Sequence, residues 1–403
     1  MPAVERATSH EGRQGLGHAQ SRTLWVEDEE GGKKLVEALD SSARLAVDTE
    51  AAGFHRYSDR ICLLQLSTES DTFVIDTLAF NPGSILAPAL ADPDRTVLLH
   101  GSDYDLRLLD RDLGLRVRSI VDTQVAAALS GEQQTGLSAL LERHLGISLS
   151  KKYQRADWAQ RPLSTEQLAY AAADTRSLGD LWDLLRERLV ELGRLHWVEE
   201  EFELLEQIGW AGDEEPLDPV TRFTGARKLD LPTLEGLRAA WGWRDALARE
   251  RDRAPFRIAE DRVLAEVATG RIDSTEELAG LRGISKTVAR GPGAELLERV
   301  RSARATPVAE IAPYPRRSGG RADRPTREVE ERFERLKAAR NQRADELGLD
   351  RGLLVPNAAL MEIARGAPGT MGELKALPSV KRWQVEAAGD SLLEAARNTK
   401  RPR

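Results

Sequence analysis

Two carboxylates stand side by side at the end of an apolar stretch near the start of the chain. The segment RLAVDTEAAG, residues 44–53, begins like a buried strand and then places Asp48 and Glu50 two positions apart. Residues i and i+2 of a strand point to the same face, so the two side chains converge. Their repulsion raises one of the two pKa values unless a cation lies between them, and such hard oxygen ligands suit Mg²⁺ or Mn²⁺.

Further ligands for such a cation occur in two later segments. LLHGSDYDL, residues 98–106, reads as a strand running into a helix and brings Asp103 or Asp105 to the edge of the sheet. YAAADTRSL, residues 170–178, carries Tyr170 and Asp174 four positions apart, on one face of a helix. Each signal has an ordinary structural explanation, such as a strand end or a carboxylate favoured at a helix start. Their ordered combination is what predicts a metal site.

The elements that must position these residues alternate along the front half of the chain. Strands are predicted at 44–50, 61–68, 71–77 and 96–101, and helices at 103–114 and 137–146. Residues 119–131 read as a strand entering a helix, and 163–193 as one long helix or two, capped by Ser164 or Thr165. Only Glu69 and Ser70 separate the second and third strands, which indicates a hairpin. The pattern predicts an α/β domain with a mixed sheet flanked by helices.

The back half shows only helical periodicity and contains an internal repeat. Residues 244–270 resemble 334–366, and residues 274–300 resemble 370–396, with the same order of helices and turns. We therefore expect a disordered leader at 1–21, the α/β domain at 22–210, a linker at 211–220, a helical module at 221–303, a Pro/Gly/Arg-rich linker at 304–328 and a second, degenerate module at 329–399.

Charge and composition limit the classes of protein that fit. Residues 1–220 contain 22 basic and 39 acidic residues, whereas residues 221–403 contain 36 and 27. This asymmetry suits a cation-binding front and a polyanion-binding back, but on charge alone a chance variation in surface composition is the favoured explanation, because solvated charged faces are common. The single cysteine, Cys62, excludes an intrachain disulfide and is expected to be a buried thiol. With no apolar run of membrane length and no secretory signal, a cytoplasmic protein without a membrane partner is expected.

Taken together, the motifs resemble those of a known enzyme family. AVDTEAAGFHRY, LLHGSDYDLRLLDRDLG and QLAYAAADTRSL are similar to the three exonuclease motifs of the DEDD superfamily, in its tyrosine-bearing branch, and most of all to ribonuclease D. The helical repeats resemble the HRDC module, most clearly in WRDALARERDRAP at 243–255. The resemblance implies an RNase H-like exonuclease domain followed by two HRDC-like modules.

The resemblance also implies an activity. It assigns two divalent cations, Mg²⁺ or Mn²⁺, to Asp48, Glu50, Asp105 and Asp174, and the orientation of the attacking water to Tyr170. The expected enzyme is a 3′–5′ exoribonuclease that removes 5′-nucleoside monophosphates from structured RNA, tRNA precursors among them. A DNA exonuclease of the same superfamily and a non-catalytic nucleic-acid-binding scaffold are the alternatives.

Contacts with the substrate are predicted more weakly, because each candidate has an equally good structural explanation. Phe54 is a candidate for stacking on a base, and Gln65 and His100 for contacts with the terminal nucleotide. Phosphate contacts are predicted for a set of basic residues: Lys151, Lys152, Arg155, Arg249, Arg251, Arg253, Arg316, Arg317, Arg321, Arg324 and the C-terminal KRPR.

Overall fold

The structure is a computed structural model that describes residues 22–212, 218–315 and 325–397. Several sequence predictions fall outside the described residues: the leader at 1–21, the central part of each linker, the KRPR tail, and Arg316, Arg317, Arg321 and Arg324.

A six-stranded mixed sheet forms the centre of the front domain, which confirms the predicted fold class. Its strands are β1 (Arg22–Val26), β2 (Arg44–Ala51), β3 (Ile61–Ser67), β4 (Asp71–Asp76), β5 (Thr96–Leu99) and β6 (Ile120–Asp122). They lie in the order β1-β4-β3-β2-β5-β6. The β2–β3 and β3–β4 pairs are antiparallel, the second being the predicted hairpin, while the other neighbours are parallel. Strand β1 was not predicted from the sequence.

Eight helices belong to the described part of this domain. They are α1 (Glu29–Asp40), α2 (Gly83–Leu90), α3 (Asp103–Leu113), α4 (Thr123–Ser130), α5 (Leu137–Leu145), α6 (Thr165–Arg176), α7 (Leu178–Glu191) and α8 (Leu195–Leu205). The region 163–193 is therefore two helices, with the break at Ser177. Leucines of α1, α2 and α3 cover one face of the sheet, and residues of α4, α7 and α8 contribute to the core on the other face.

Helix α6 is fixed on the sheet by its sequence. Ser164 caps it, since its hydroxyl accepts from the Gln167 amide and the Gln167 side chain accepts from the Ser164 amide. Ala171 and Ala172 are fully buried and let the helix approach β2, β3 and β4 closely. Near its end, the Thr175 hydroxyl lies 2.7 Å from the Ser67 hydroxyl of β3. These contacts determine where the side chains of α6 stand relative to β2.

The back half forms two helical modules. The first contains α9 (Leu231–Glu250), α10 (Pro255–Ile258), α11 (Asp261–Ala268), α12 (Thr275–Gly280), α13 (Lys286–Arg290) and α14 (Gly293–Arg304). The second contains α15 (Arg327–Leu347), α16 (Arg351–Leu354), α17 (Asn357–Gly366), α18 (Met371–Lys375) and α19 (Arg382–Arg397). Helix α15 begins inside the stretch that the sequence assigned to the linker. No helix in the described ranges is long and apolar enough to cross a membrane.

The two modules are attached to the front domain in different ways. The first has a hydrophobic core of its own, to which the described residues of the front domain add only the partly buried Tyr57. The core of the second is continuous with the one beneath α4, α5, α7 and α8. The Trp383 ring stacks on that of Trp197 at 5.4 Å, and its indole nitrogen donates to the Glu201 carboxylate at 2.6 Å. Lys381 pairs with the same carboxylate, so the buried charge of Glu201 is compensated.

This shared core predicts that damage to the second module spreads into the front domain. Trp383→Ala should lower the free energy of unfolding by about 3–5 kcal/mol, the range for deletion of a buried aromatic ring. Amide hydrogen exchange should rise in α8 as well as in α19, because Trp383 packs against Trp197.

The matched control is Trp243→Ala, which removes an equally buried tryptophan from the core of the first module. This change should raise exchange in α9 and α14 and leave α8 protected. Unchanged exchange of α8 in the Trp383→Ala protein would contradict the shared core.

Candidate active site

Three carboxylates from two elements meet on one side of the sheet. Asp48 and Glu50 lie on β2, and Asp174 lies on α6, which packs across β2. One oxygen from each of the three side chains lies within 4.8 Å of the other two. A shift in the β2–β3 register between Glu50 and Ala51 marks the point where the strand leaves regular pairing. The structure thus brings together side chains that are 126 positions apart in the chain.

Asp105 approaches the same region from the first turn of α3. Its carboxylate accepts a hydrogen bond from the hydroxyl of Thr49, the residue between Asp48 and Glu50. It is not a member of the three-carboxylate cluster, but its charge acts on both Asp48 and Glu50. Asp103, the other candidate in this segment, is exposed and forms an ion pair with Arg107 one turn along the helix. The structure therefore favours Asp105 over Asp103 as the site residue.

The electrostatics of the cluster disfavour four ionised carboxylates. Burial raises the pKa of Glu50 to about 9, with further contributions from Asp174 and Asp105. Burial likewise raises the pKa of Asp174 and of Asp105 to about 6. The pKa of Asp48 is well above its ordinary value, first because of burial and then because of its acidic neighbours. Charged groups at such a position need compensation.

A divalent cation fits this arrangement. The donors are all carboxylate oxygens, the ligand type that hard cations prefer, and three of them already lie close enough to share one ion. A cation would also replace the protons that the raised pKa values indicate. Asp48, Glu50 and Asp174 are the residues that would hold it.

Tyr170 stands one helical turn before Asp174 and is held by aromatic packing. Its ring stacks on Trp158 at 5.9 Å and contacts Tyr153 edge-on at 6.0 Å. Burial, followed by the charges of Asp174, Glu50 and Asp48, raises the pKa of its phenol. This shift disfavours ionisation of the phenol and so argues against a phenolate base.

Two supporting residues were not predicted from the sequence. Asp122 caps α4 and also accepts from the amides of Gly101 and Ser102, which form the turn that starts α3 and so places Asp105. Arg161 pairs with Asp76 at 2.6 Å and donates to the carbonyls of Cys62 and Trp158. These bonds fix the position of Trp158, whose ring packs on Tyr170. An Asp-Thr pair between a strand and a helix was the available signal for Asp122.

The predicted substrate contacts lie in different surroundings. Gln65 is fully buried and pairs with Asp48 across the β2–β3 ladder, and its side-chain amide has no hydrogen-bond partner among the described residues. His100 is mostly buried and its Nδ1 lies 2.9 Å from the Thr123 hydroxyl, a contact that fits a structural role. Phe54 and Arg155 are exposed and in contact with each other, and Lys151 and Lys152 are also exposed.

The other predicted phosphate contacts and the cysteine are also placed by the structure. Arg249 pairs with Asp245 and donates to the Tyr57 hydroxyl, so it serves the contact between the front domain and the first module. Arg251 and Arg253 are exposed. Cys62 is buried, as predicted, and burial raises its thiol pKa to about 11, so it is not a nucleophile.

Three regions of the chain match models of known protein families. Residues 23–190 match the 3′–5′ exonuclease family model, and residues 234–300 and 329–395 each match the HRDC domain model. The first range contains β2, α3 and α6, the three elements that carry the acidic residues. The second helical module is therefore an HRDC domain despite its degenerate sequence.

Individual relatives agree with the family models. Ribonuclease D of Gluconacetobacter diazotrophicus is 35% identical over 280 residues, which cover 68% of this chain and 70% of that protein. Ribonuclease D of Granulibacter bethesdensis is 33% identical over 75% of this chain and 77% of its own length. Exosome complex exonuclease RRP6 of Saccharomyces cerevisiae is 32% identical, but only 35% of its length is matched.

Solved structures extend the similarity to nearly the whole chain. Escherichia coli RNase D, an exoribonuclease involved in structured RNA processing, matches with a TM-score of 0.64 at 25% identity. The match covers 93% of this chain and 98% of that one. A protein from Bifidobacterium adolescentis matches with a TM-score of 0.74 over 93% of this chain and 97% of its own. Since the carboxylate-bearing elements and both helical modules fall within these matches, the chain belongs to the ribonuclease D family.

Proposed function

We propose that this chain shortens structured RNA, tRNA precursors among them, from the 3′ end with the help of two divalent cations, Mg²⁺ or Mn²⁺. That it is a 3′–5′ exoribonuclease follows from its family and from its exonuclease domain. The observation that carries the proposal is the convergence of Asp48, Glu50 and Asp174 within 4.8 Å. Tyr170 and Asp105 border this cluster and complete the set.

The acidic residues divide between two cation positions in this proposal. Asp48, Glu50 and Asp174 would hold one cation, and Asp105 would contribute to holding the other. Asp105 lies beside the cluster, since its carboxylate accepts from the hydroxyl of Thr49, the residue between Asp48 and Glu50. When bound, such a pair of cations supplies activation of water and stabilisation of the charge that develops on the leaving oxygen.

The chain's own residues orient the reactants. The protonated Tyr170 hydroxyl holds the attacking water in line with the terminal phosphodiester, and its packing on Trp158 keeps it in place. The water oxygen bonds to phosphorus as the bond from phosphorus to the preceding O3′ breaks. The proton from water ends on that O3′, and a 5′-nucleoside monophosphate leaves.

The preference for RNA over DNA is a separate part of the proposal. RNA is favoured because the relatives named above are ribonucleases and RRP6 proteins. Competition between labelled RNA and DNA of the same sequence, with free 3′ ends, tests this choice. Preferential loss of the DNA label would favour the alternative of a DNA exonuclease. Calorimetric titration with Mg²⁺ and with Mn²⁺ tests the number and identity of the cations, and no uptake would favour the scaffold alternative.

Removal of a single ligand should stop digestion without removing the RNA surface. Asp48→Asn and Asp174→Asn should each lower kcat on a 3′-tailed RNA by about a hundredfold or more, the scale of losing one charge-stabilising group. Binding of that RNA should stay within about threefold, because the basic surfaces lie elsewhere. Single-turnover digestion and fluorescence anisotropy measure the two effects.

Asp103→Asn is the matched control for Asp105→Asn. Both residues lie in the first turn of α3, but Asp103 faces solvent and pairs with Arg107. The Asp103 change should leave digestion at the wild-type rate, whereas the Asp105 change should impair it. Full activity of Asp48→Asn would rule out the assignment of the site.

Loss of the Tyr170 hydroxyl should affect the rate but not cation binding. In Tyr170→Phe the ring can still pack on Trp158, so the fold and the three-carboxylate cluster remain. The kcat should fall by about a hundredfold, the scale of the loss when a reactant is no longer held in line. Calorimetric titration with Mn²⁺ should be unchanged, and weakened Mn²⁺ uptake would show that the hydroxyl contributes to the cation site instead.

The raised pKa values predict how stability depends on pH without a cation. The folded protein holds the proton of Glu50 up to about pH 9, whereas the unfolded chain releases it at about 4.3. This contribution to stability is present below the unfolded pKa and is lost as the pH rises through the folded one. In a chelator, the free energy of unfolding should therefore fall as the pH rises from about 5 to about 9, with Asp105 and Asp174 contributing to the loss up to about pH 6.

Two comparisons isolate this effect from other titrations. Glu50→Gln should make the free energy of unfolding fall less steeply with rising pH. A saturating divalent cation should abolish that fall in the wild-type protein. Glu37→Gln alters an exposed glutamate of α1 and should leave the decline as it is. Denaturant unfolding at several pH values gives the free energies, and equal slopes for wild type and Glu50→Gln would contradict the assigned shift.

A further inference from the structure

An exposed group of aromatic and arginine side chains joins the exonuclease domain to the first HRDC domain. It consists of Phe54 and Arg155 from the former and Phe256 and Arg257 from the latter, and is called the aromatic–arginine patch below. Phe54 is 41% exposed and Phe256 is 46% exposed, although large apolar side chains are usually buried. Two phenylalanines that share an exposed contact across a domain boundary call for an explanation other than core packing.

The four side chains are arranged as a continuous surface. The rings of Phe54 and Phe256 lie 5.4 Å apart and are tilted by 54°. The Arg257 guanidinium carbon lies 4.8 Å from the centre of the Phe54 ring and 5.8 Å from that of Phe256. Arg155 covers Phe54 from another side at 5.6 Å. Each ring therefore has a cation beside it and a portion open to solvent.

The contact between the two domains holds the patch in shape. Arg257 donates from Nε to the Phe54 carbonyl at 2.8 Å, and the Ala254 amide donates to the His55 carbonyl at 3.1 Å. Next to it, Arg56 pairs with Asp157 and with Asp252. Backbone atoms take part on both sides, so the relative position of Phe54 and Phe256 does not depend on side-chain packing alone.

The charge of the patch is available for a partner. In the described ranges, neither Arg155 nor Arg257 has a carboxylate within ion-pairing distance, whereas nearby Arg56 and Arg249 are both paired. Lys151 and Lys152 precede Arg155 and are exposed. Open rings flanked by unpaired cations suit single-stranded nucleic acid, in which bases stack on aromatic side chains and phosphates meet the cations.

The patch lies close to the three-carboxylate cluster. Phe54 follows Glu50 by four residues, so their Cα atoms are at most about 14 Å apart. Arg155 belongs to the segment that also supplies Tyr153 and Trp158 to the packing around Tyr170. Its carbonyl oxygen lies 2.8 Å from Nε2 of His55. The same loop thus connects the patch to the catalytic tyrosine of the proposed function.

We infer that the aromatic–arginine patch binds the unpaired nucleotides just upstream of the RNA 3′ end, with bases stacked on Phe54 and Phe256 and phosphates held by Arg155 and Arg257. This inference rests on the proposed function. The first HRDC domain then contributes directly to the substrate path beside the active site. Since paired bases cannot stack on these rings, the patch selects ends with a single-stranded tail.

Binding measurements in an inactive background test the inference without relying on catalysis. In full-length Asp48→Asn protein, Phe256→Ala and Arg257→Ala should each raise the Kd for a hairpin RNA with a single-stranded 3′ tail. Loss of one stacked base predicts an increase of about fivefold to a hundredfold for Phe256→Ala. Replacing the tail bases by abasic sites should remove most of the difference between Phe256→Ala and its parent. Fluorescence anisotropy gives each Kd.

Conservative and remote variants serve as controls. Phe256→Trp keeps a stacking ring and should retain wild-type affinity, which separates stacking from a disturbed domain contact. Arg271→Ala removes an exposed arginine of the same domain that forms no ion pair within the described residues, and it should leave the Kd unchanged. Thermal unfolding of each variant shows whether the fold is retained.

A second measurement separates failure of the inference from failure of the proposed function. In the active protein, the ratio of kcat/KM on tailed RNA to that on bis(p-nitrophenyl) phosphate should fall in Phe256→Ala. A wild-type protein that cleaves neither substrate overturns the proposed function. A Kd within about twofold of the parent for both Phe256→Ala and Arg257→Ala overturns the inference, and so does an affinity loss in Phe256→Ala that is equally large on the abasic tail.

Discussion

Carboxylates held within 4.8 Å of one another repel, and the folding of the front domain must overcome that repulsion. The neighbouring strands and helices hold the carboxylates together against this repulsion. Strand β2 lies inside the sheet, paired with β5 over residues 44–46 and with β3 from Ala46 to Ala51, so the β3 ladder holds Asp48 and Glu50 in place. Helix α6 is capped at Ser164 and hydrogen-bonded to β3 at Thr175, which fixes Asp174 from both ends. A bound cation turns this enforced repulsion into attraction.

The same requirement explains the division of labour along the chain. An acidic exonuclease domain repels the polyanion that it must cut, so the cations that attract RNA have to lie beside the site or on other domains. Arg155 lies on a loop of the exonuclease domain and Arg257 on the first HRDC domain, and both contact the Phe54 ring. Arg249 instead pairs with Asp245 and donates to the Tyr57 hydroxyl, at the contact between the exonuclease domain and the first HRDC domain.

The sequence predicts the local chemistry well and the long-range packing poorly. D-x-E on a strand, the helix cap at Ser164 and the Tyr170–Asp174 spacing depend on neighbours in the chain, and their side chains are where that logic places them. Strand β1 was missed; among the described strands it pairs with β4, about fifty residues away, so its place in the sheet depends on a distant segment. Residue spacing alone left Asp103 and Asp105 open and only the family resemblance selected Asp105, while the part played by Asp122 needed the turn that Gly101 and Ser102 form. No sequence pattern within the second HRDC domain predicts that its core is continuous with α7 and α8.

The unequal attachment of the two HRDC domains affects how the chain can be rebuilt. The first has a separate core and meets its neighbour through a few hydrogen bonds, ion pairs and ring contacts. It can be exchanged for the corresponding domain of a relative once those few positions are matched. The second completes the exonuclease domain's own interior, so a transplant there would require α7 and α8 to be redesigned with it. The two copies of the repeat thus differ in function as building blocks: the first HRDC domain is separable from the exonuclease domain, and the second is not.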